Sequence, residues 1–445
     1  MNTTSTLDPQ TIELLESLSE HIDVAALAQT LSRLPAGQVS ALLRSISKPP
    51  RTPVVPPVNG DFYDLDASLT PEQRRIRDGV RAFMETEIRP VINDYWLKGE
   101  YPMHLVPKIG AMVQDTFGAE PFQFPYPDPV LAGVVFMEIC RVDPSTCTFI
   151  GVPWGLTLPS IYLFGSEEQK KRWIGPLQRF EALGSWALTE PEVGSATAAG
   201  LKTVARRNGT DWVLDGQKKW SGNALVADIN VIWAKNTETG QVNGFLVERD
   251  TPGYHVEKLE GKIAQRAVYN VLITLDGCRI PDSARLPGAN SFKEMAVQLA
   301  PARAGVAWEA AGLAQGVYEL TLDYCNRREQ FGKPIAGFQL VQEKLARMLG
   351  HVTAMQTLVM QLARLEEAEG HISHERASLA KMWCCETMRE TVAIGRGLLG
   401  GNGILLEHHV ARLFADAEAL YSFEGTHEMN ALIVGRAITG RSAFV

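Results

Sequence analysis

One carboxylate near the end of the chain is placed to act as a base. The stretch Tyr421-Ser422-Phe423-Glu424-Gly425-Thr426-His427-Glu428-Met429-Asn430 runs into the apolar Ala431-Leu432-Ile433-Val434. Thr426 reads as a helix N-cap and Glu428 as a first-turn anion of the kind the helix dipole favours. Glu424 then stands outside the helix, between an aromatic and a glycine. Burial against Phe423 would raise its pKa, and Gly425 lets another molecule approach the backbone closely. Burial can bring a glutamate to about 6–7, which suits a general base near neutral pH. Taken alone, the ten residues read first as a capping loop with an acidic neighbour.

Three other stretches precede it in the chain: Trp186-Ala187-Leu188-Thr189-Glu190-Pro191-Glu192-Val193-Gly194-Ser195; Arg328-Glu329-Gln330-Phe331-Gly332-Lys333-Pro334 with Phe338-Gln339-Leu340; and Leu399-Gly400-Gly401-Asn402-Gly403. The first resembles the flavin-contacting loop of the acyl-CoA dehydrogenase family, the second its cofactor motif on a long C-terminal helix and turn, and the third its glycine-rich turn. Glu424-Gly425-Thr426 resembles its catalytic loop. The order and spacing match over roughly residues 65 to 445. Within the family, the chain is most similar in appearance to glutaryl-CoA dehydrogenases and plant-type short-chain acyl-CoA oxidases.

The resemblance implies bound FAD and a thioester substrate. Removing a thioester α-proton needs a base, a donor for the enolate oxygen and an acceptor for the β-hydride. Glu424 would be the base, its own backbone N–H a donor, and FAD the acceptor, chemistry no side chain performs. Trp186, Ala187, Leu188, Thr189, Gly194 and Ser195 would line the flavin and the thioester edge. Trp220, Ser221 and Gly222 would lie against the ring. Arg328, Phe331 and Gln339 would reach the FAD of a neighbouring subunit, Arg328 as partner for a pyrophosphate. Gly397, Leu398, Gly400 and Gly401 would give backbone contacts, and Thr426 and Glu428 would close over the nucleotide. Ser195, Gly425, Arg303, Trp154 and Phe444 are the candidates for substrate contact. For Arg303, salt-bridging within the bundle is the competing reading, and for Phe444 a plain C-terminal anchor.

Two departures bear on the substrate and the electron acceptor. Glutaryl-CoA dehydrogenases carry an arginine for the distal carboxylate at the seventh place of the motif starting here at Arg141, where this chain has Cys147. A neutral thiol cannot hold a buried carboxylate, so an uncharged acyl group is expected. Trp154, beside Pro153, is expected either to shorten the acyl pocket or to pack within its helix. Gly222 stands where most dehydrogenases of the family have threonine and the plant-type oxidases have glycine. That leaves space for oxygen or for a water.

Elements must position these residues, and composition bounds what they are. At 445 residues the chain is long enough for about three domains. Its net charge of −8, from 43 basic and 51 acidic residues, offers no basic footprint for nucleic acid. Six cysteines without a C-x-x-C pair read as core residues in a reducing compartment. No stretch of eighteen or more apolar residues and no targeting signal is evident, so a cytoplasmic protein without a membrane span is expected. His408-His409 and His371 with His374 lack a carboxylate or thiolate at ligand spacing, and no metal site is expected. Lys218-Lys219 and Lys170-Lys171-Arg172 read as solvated faces.

Two amphipathic helices over residues 10 to 47 and a proline-rich linker make a 1–62 extension, read as a packing arm. Thr70 with Pro71 restarts the helical pattern, giving an all-α domain over 63–183 with helices near 71–96, 104–115, 128–141, 144–163 and 167–174. After Gly184 the period changes to two. Asn208-Gly209 signals a hairpin, Asp215-Gly216 a second turn, and further strands are expected at 229–234, 244–248 and 271–275 in a small β-barrel or sandwich over 184–290. Residues 291–445 show stripes at alternating three and four spacing and read as a four-helix bundle bearing the catalytic loop. The fold class is α+β.

The sequence therefore points to FAD-dependent α,β-dehydrogenation of a short, uncharged acyl-CoA by a homodimer or homotetramer that passes electrons to an electron-transfer flavoprotein. The rivals are an acyl-CoA oxidase using O2 and a non-catalytic scaffold of the same fold.

Overall fold

The computed structural model describes residues 60–118 and 122–442. The extension read over residues 1–62 falls almost wholly outside them, as does Phe444. Thr70 begins the helical domain as the sequence predicts. Its hydroxyl accepts from Gln73 N at 3.1 Å, and Gln73 Oε1 accepts from Thr70 N at 2.8 Å, a reciprocal capping box. Helix α1 (Pro71–Phe83) passes through a π-helical turn, Met84–Ile88, into α2 (Arg89–Lys98). Then come α3 (Val106–Phe117), α4 (Pro129–Val142), α5 (Pro144–Gly151), a second π turn over Val152–Thr157, α6 (Leu158–Phe164) and α7 (Glu167–Gln178). The run Pro144–Phe164 is long and apolar enough to cross a membrane, but 67% of its apolar window is buried within the protein.

Among the described residues, seven strands form the middle sheet: β1 (Gly184–Ala187), β2 (Val204–Asn208), β3 (Asp211–Ser221), β4 (Ile229–Asn236), β5 (Val242–Glu248), β6 (Tyr254–Lys258) and β7 (Val271–Pro281). Their order is β1-β4-β2-β3-β7-β6, with β5 on β4. β1 runs parallel to β4, Trp186 opposite Val231, and β3 pairs antiparallel with β7. The turn expected at Asp215-Gly216 is a bulge instead. The β3–β7 register shifts there, and β3 continues unbroken to Ser221. Gly216 takes φ 141°, and a Cβ on it would lie 2.6 Å from Thr203 Cα, so the bulge needs glycine. A second bulge between Lys219 and Ser221 leaves Trp220 at φ 72° and 52% exposed. The short strands β1 and β6 carry too few residues to show a period-2 pattern and were not anticipated.

The C-terminal domain comprises α8 (Leu299–Arg327), α9 (Gln339–Glu369), α10 (His374–Leu398), α11 (Val410–Ser422) and α12 (His427–Thr439). α8 is the central strut. Gly312 and Gly316 bring its backbone against α4, and a Cβ on either would sit 2.1 or 2.0 Å from the Met137 and Arg141 carbonyl oxygens. This close approach fuses the two helical domains into one core, from Val134 and Met137 through Leu313 and Val317 to Met388. A buried ion pair, Arg412 with Asp143, ties α11 to the start of α5, and Arg412 Nη2 also donates to Val142 O at 2.8 Å. The sheet holds a second core of its own around Leu214, Ile232, Phe245 and Ile273.

Candidate active site

Glu424 sits in the bend between α11 and α12, at φ 54°, followed by Gly425 at φ 84°. Two consecutive left-handed residues are costly for a glutamate, and the loop is held in place by its neighbours. Lys381 of α10, itself buried, donates to Tyr421 O at 3.0 Å and to Gly425 O at 2.7 Å. Asn430 Nδ2 also donates to Gly425 O at 2.9 Å, and Thr426 Oγ1 accepts from Met429 N at 3.3 Å as the predicted N-cap. The Glu424 N–H donates no hydrogen bond among the described residues. Burial raises the Glu424 pKa above its ordinary value, against the opposing pull of Arg303 and then Lys381. Arg303 Nε lies 3.9 Å from where a Gly425 Cβ would be, and its Nη1 lies 3.3 Å from His374 Nδ1. It enters no ion pair within the bundle among the described residues.

Glu424, Gly425 and Thr426 open onto a cavity of about 840 Å³. A second wall comes from β1 and the segment after it: Trp186, Leu188, Thr189, Gly194 and Ser195. Trp186 Nε1 donates to Ser160 Oγ at 3.1 Å, and Thr189 O accepts from Lys219 N at 2.8 Å. Ala187 turns the other way, fully buried in the sheet core. A third wall is the end of β3, where Trp220, Ser221 and Gly222 line the space. Ser221 Oγ is buried without a hydrogen-bond partner. A half-exposed indole, an orphan hydroxyl and the Thr189 and Ser195 hydroxyls fit a flat, polar-edged ring system such as a flavin. A Cβ on Gly222 would lie 3.1 Å from Val152 Cγ2. Val152 therefore crowds one side of the space released by glycine, while Gly222 still borders the cavity.

Trp154 is buried but is not part of the cavity wall. It stacks on Phe117 with ring centroids 4.8 Å apart, and its carbonyl accepts from Tyr126 Oη at 2.9 Å. Tyr126 and Phe124, not Trp154, face the cavity. Of the two readings of Trp154, packing is the one these contacts favour: the ring is a buttress behind the wall. The remaining candidates lie away from the cavity. Arg328, Gln339, Gly397, Gly400, Gly401 and Glu428 are exposed, Leu398 is half-buried, and Phe331 is 94% exposed at φ 53°.

Three contributors were not anticipated. Lys218, expected on a solvated face, is fully buried, 2.9 Å from Glu190 Oε1 and 2.9 Å from Leu188 O. Lys381 fixes the Glu424 loop. Glu309 of α8 lines the same cavity as Glu424, and burial together with the Glu424 charge pushes its pKa up to about 7. The signal for Glu309 was available, since it is the one charged residue between Ala304 and Tyr318.

A helical domain, a middle sheet and a helical bundle around a glutamate-bearing cavity define a class that the comparisons identify. Residues 70–181, 185–278 and 292–439 match the N-terminal, middle and C-terminal domain models of acyl-CoA dehydrogenase. A probable acyl-CoA dehydrogenase of Bacillus subtilis is 31% identical over 384 residues, covering 84% of this chain and all of that protein. Human mitochondrial short-chain specific acyl-CoA dehydrogenase is 30% identical over 408 residues, covering 89% of this chain and 97% of that protein. A crystal structure of glutaryl-CoA dehydrogenase from Mycobacterium smegmatis in complex with FADH2 superposes with a TM-score of 0.83 at 34% identity, covering 87% of this chain and all of that one. The chain belongs to the acyl-CoA dehydrogenase family.

Proposed function

We propose that the protein uses FAD to dehydrogenate a short, uncharged acyl-CoA thioester to its trans-2-enoyl product. The observation that carries this reading is the pairing, in one residue, of a buried carboxyl with raised pKa and an unpaired backbone N–H at a mainly apolar cavity. The Glu424 N–H donates to the thioester oxygen, where charge develops as the α-proton leaves, and a preorganised donor of this kind is worth about 3–4 kcal/mol. The Glu424 carboxylate takes the proton. Arg303 and Lys381 keep enough of it ionised for the task, opposing the burial that makes it basic. Trp186, Thr189, Ser195, Trp220 and Ser221 would hold the FAD, which when bound supplies the acceptor for the β-hydride. The neutral Cys147 argues for an uncharged acyl group, its thiol pushed well up by burial.

Electrons would pass to an electron-transfer flavoprotein rather than to O2, a choice supported by the Val152 methyl that crowds Gly222. The exposed Arg328, Phe331 and Gln339 would meet a second copy of the chain in a dimer or tetramer, in a reducing cytoplasm that suits six free, buried cysteines. Anaerobic titration of the holoprotein with butyryl-CoA, followed by its visible spectrum, tests the reading. Bleaching that Glu424→Gln abolishes is the expected result. A yellow protein that no acyl-CoA bleaches would overturn the reading, and rapid peroxide formation on admitting air would move the assignment to an oxidase.

A further inference from the structure

Beside Glu424 the cavity is lined by the carboxyls of Glu309, Glu366 and Glu418, and proton abstraction by Glu424 does not use Glu309. Six residues separate it from Arg303, about 9 Å along α8 from the side chain that flanks the catalytic loop. Around it the wall is Ala132, Gly133, Phe136 and Trp308. Its polar neighbours are two thiols: the Sγ atoms of Cys140 and Cys147 and a Glu309 carboxyl oxygen lie within 4.8 Å of one another. Burial pushes the Cys140 thiol up to about 11 and that of Cys147 higher, so both are neutral. Glu309 Oε2 is closed off from solvent and has no hydrogen-bond partner among the described residues, the Cys147 thiol is placed to hydrogen-bond the carboxyl, and Glu309 forms no ion pair among the described residues. The half-buried carboxyl thus borders the cavity with hydrogen-bonding capacity that a single thiol does not fill.

Building on the dehydrogenase reading, we propose that Glu309 binds a hydroxyl on the far part of the acyl chain, so the preferred substrates are short hydroxyacyl-CoA thioesters. A carboxylate at that place would meet a carboxyl and two neutral thiols, and Lys381, the cation whose charge reaches Glu309, is already held by Tyr421 O and Gly425 O. An ammonium would give up its hydration in an apolar wall, opposite an acid whose charge burial disfavours. A hydroxyl both donates and accepts, and pairs with Glu309 in either protonation state. Sites built to hydrogen-bond a substrate hydroxyl discriminate strongly against the analogue that lacks it, because the buried polar group is then left unpaired.

The test uses the FAD-loaded Glu424→Gln protein, which binds without turnover, and calorimetric dissociation constants for 4-hydroxybutyryl-CoA and pentanoyl-CoA, of the same chain length. At least tenfold tighter binding of the hydroxyl compound is expected. Adding Glu309→Ala should bring the ratio to about one, while the isosteric Glu309→Gln should keep part of it. Equal binding of the two thioesters, a ratio unchanged by Glu309→Ala, or tighter binding of 4-aminobutyryl-CoA would each overturn the proposal. Because binding is read without turnover, failure here is distinguishable from failure of the dehydrogenase reading, which shows as absence of bleaching in the unsubstituted protein.

Discussion

The Lys218 ammonium lies 2.9 Å from Glu190 Oε1 with both side chains out of water, and the pair fastens the Trp186–Ser195 wall of the cavity to strand β3. Burial opposes ionisation of Glu190, but Lys218 and the Lys202 and Thr203 donors outweigh it and hold its pKa below the ordinary value. Burial also draws the Lys218 ammonium down to about 8 against the pull of Glu190. Lys218→Met therefore strands a buried carboxylate. The expected cost is about 3–5 kcal/mol, read as a lowered denaturation midpoint. Retention of FAD should fall as well, because Leu188 O and Glu190 lose their common anchor. Unchanged stability and flavin content would mean that the wall is held by its backbone alone.

On the proposed mechanism, the pH dependence of catalysis follows from Glu424. As the base it must be ionised, so kcat/KM rises with pH through its raised pKa. Arg303 is the strongest group opposing that rise. Arg303→Gln removes a cation that favours the carboxylate, so the acidic limb should move to higher pH, with a rate loss greatest below neutrality. A limb that stays in place would assign Arg303 to substrate binding alone, seen as a change in KM.

Stability should fall as pH rises through a window set by two buried acids. Glu309 goes from an ordinary 4.5 to about 7 and Asp416 from 3.8 to about 7, both chiefly by burial. Between the ordinary and the raised values the unfolded chain has released protons that the folded protein still holds. Each group therefore stabilises fully below its unfolded pKa and loses that contribution up to pH ~7. Glu309→Gln should flatten part of this fall, leaving the variant more stable than the parent by about 1–3 kcal/mol at pH 8, while the Asp416 share persists. Parallel stability curves for the two proteins would show that Glu309 ionises freely in the fold.

Trp154→Ala separates a wall from its support. The indole packs on Phe117, Phe122 and Tyr126 and leaves the cavity to Phe124 and Tyr126. Removing it should cost about 3–5 kcal/mol through the void it opens, with the acyl chain-length preference retained. A shift toward longer chains at little cost in stability would return Trp154 to the wall.

The fold was legible where local signals agree with tertiary structure. Thr70 and Thr426 announce helix starts with their own side chains, and the stripes along α8 and α9 are core faces. The Glu424 loop and the Trp186–Ser195 and Trp220–Gly222 stretches were singled out by their resemblance to motifs of the family, and residues of all three line one cavity. Buried charge could not. Lys218 looks like half of a solvated Lys-Lys pair, although it continues the inward alternation of Trp212 and Leu214 across the Gly216 bulge. Reading Asp215-Gly216 as a turn broke that alternation and hid it. Lys381 reaches its acceptors, and Lys218 its partner Glu190, from residues more than 25 positions away, so no short window of sequence contains these pairs. Trp154 was placed by its neighbourhood in the chain, whereas its direction is set by the π-helical turn over Val152–Thr157, which no residue pattern announced.

Gly222 offers the sharpest test of packing at the β3 wall. Its missing side chain is answered by Val152 Cγ2, which would lie 3.1 Å from an added Cβ, with Val268 and Thr148 methyls at 3.7 and 3.8 Å. Gly222→Thr adds three heavy atoms to that space and should cost about 1–3 kcal/mol of stability. Val152→Ala withdraws the blocking methyls, so the double variant should recover much of the loss, a coupling that a double-mutant cycle on thermal unfolding would measure directly. Because Val152 crowds the space that glycine leaves, Val152→Ala alone should also speed the reaction of the substrate-reduced protein with oxygen. Additive stabilities would show that Val152 moves aside freely. An unchanged oxygen rate would show that the space beside Gly222 does not limit access.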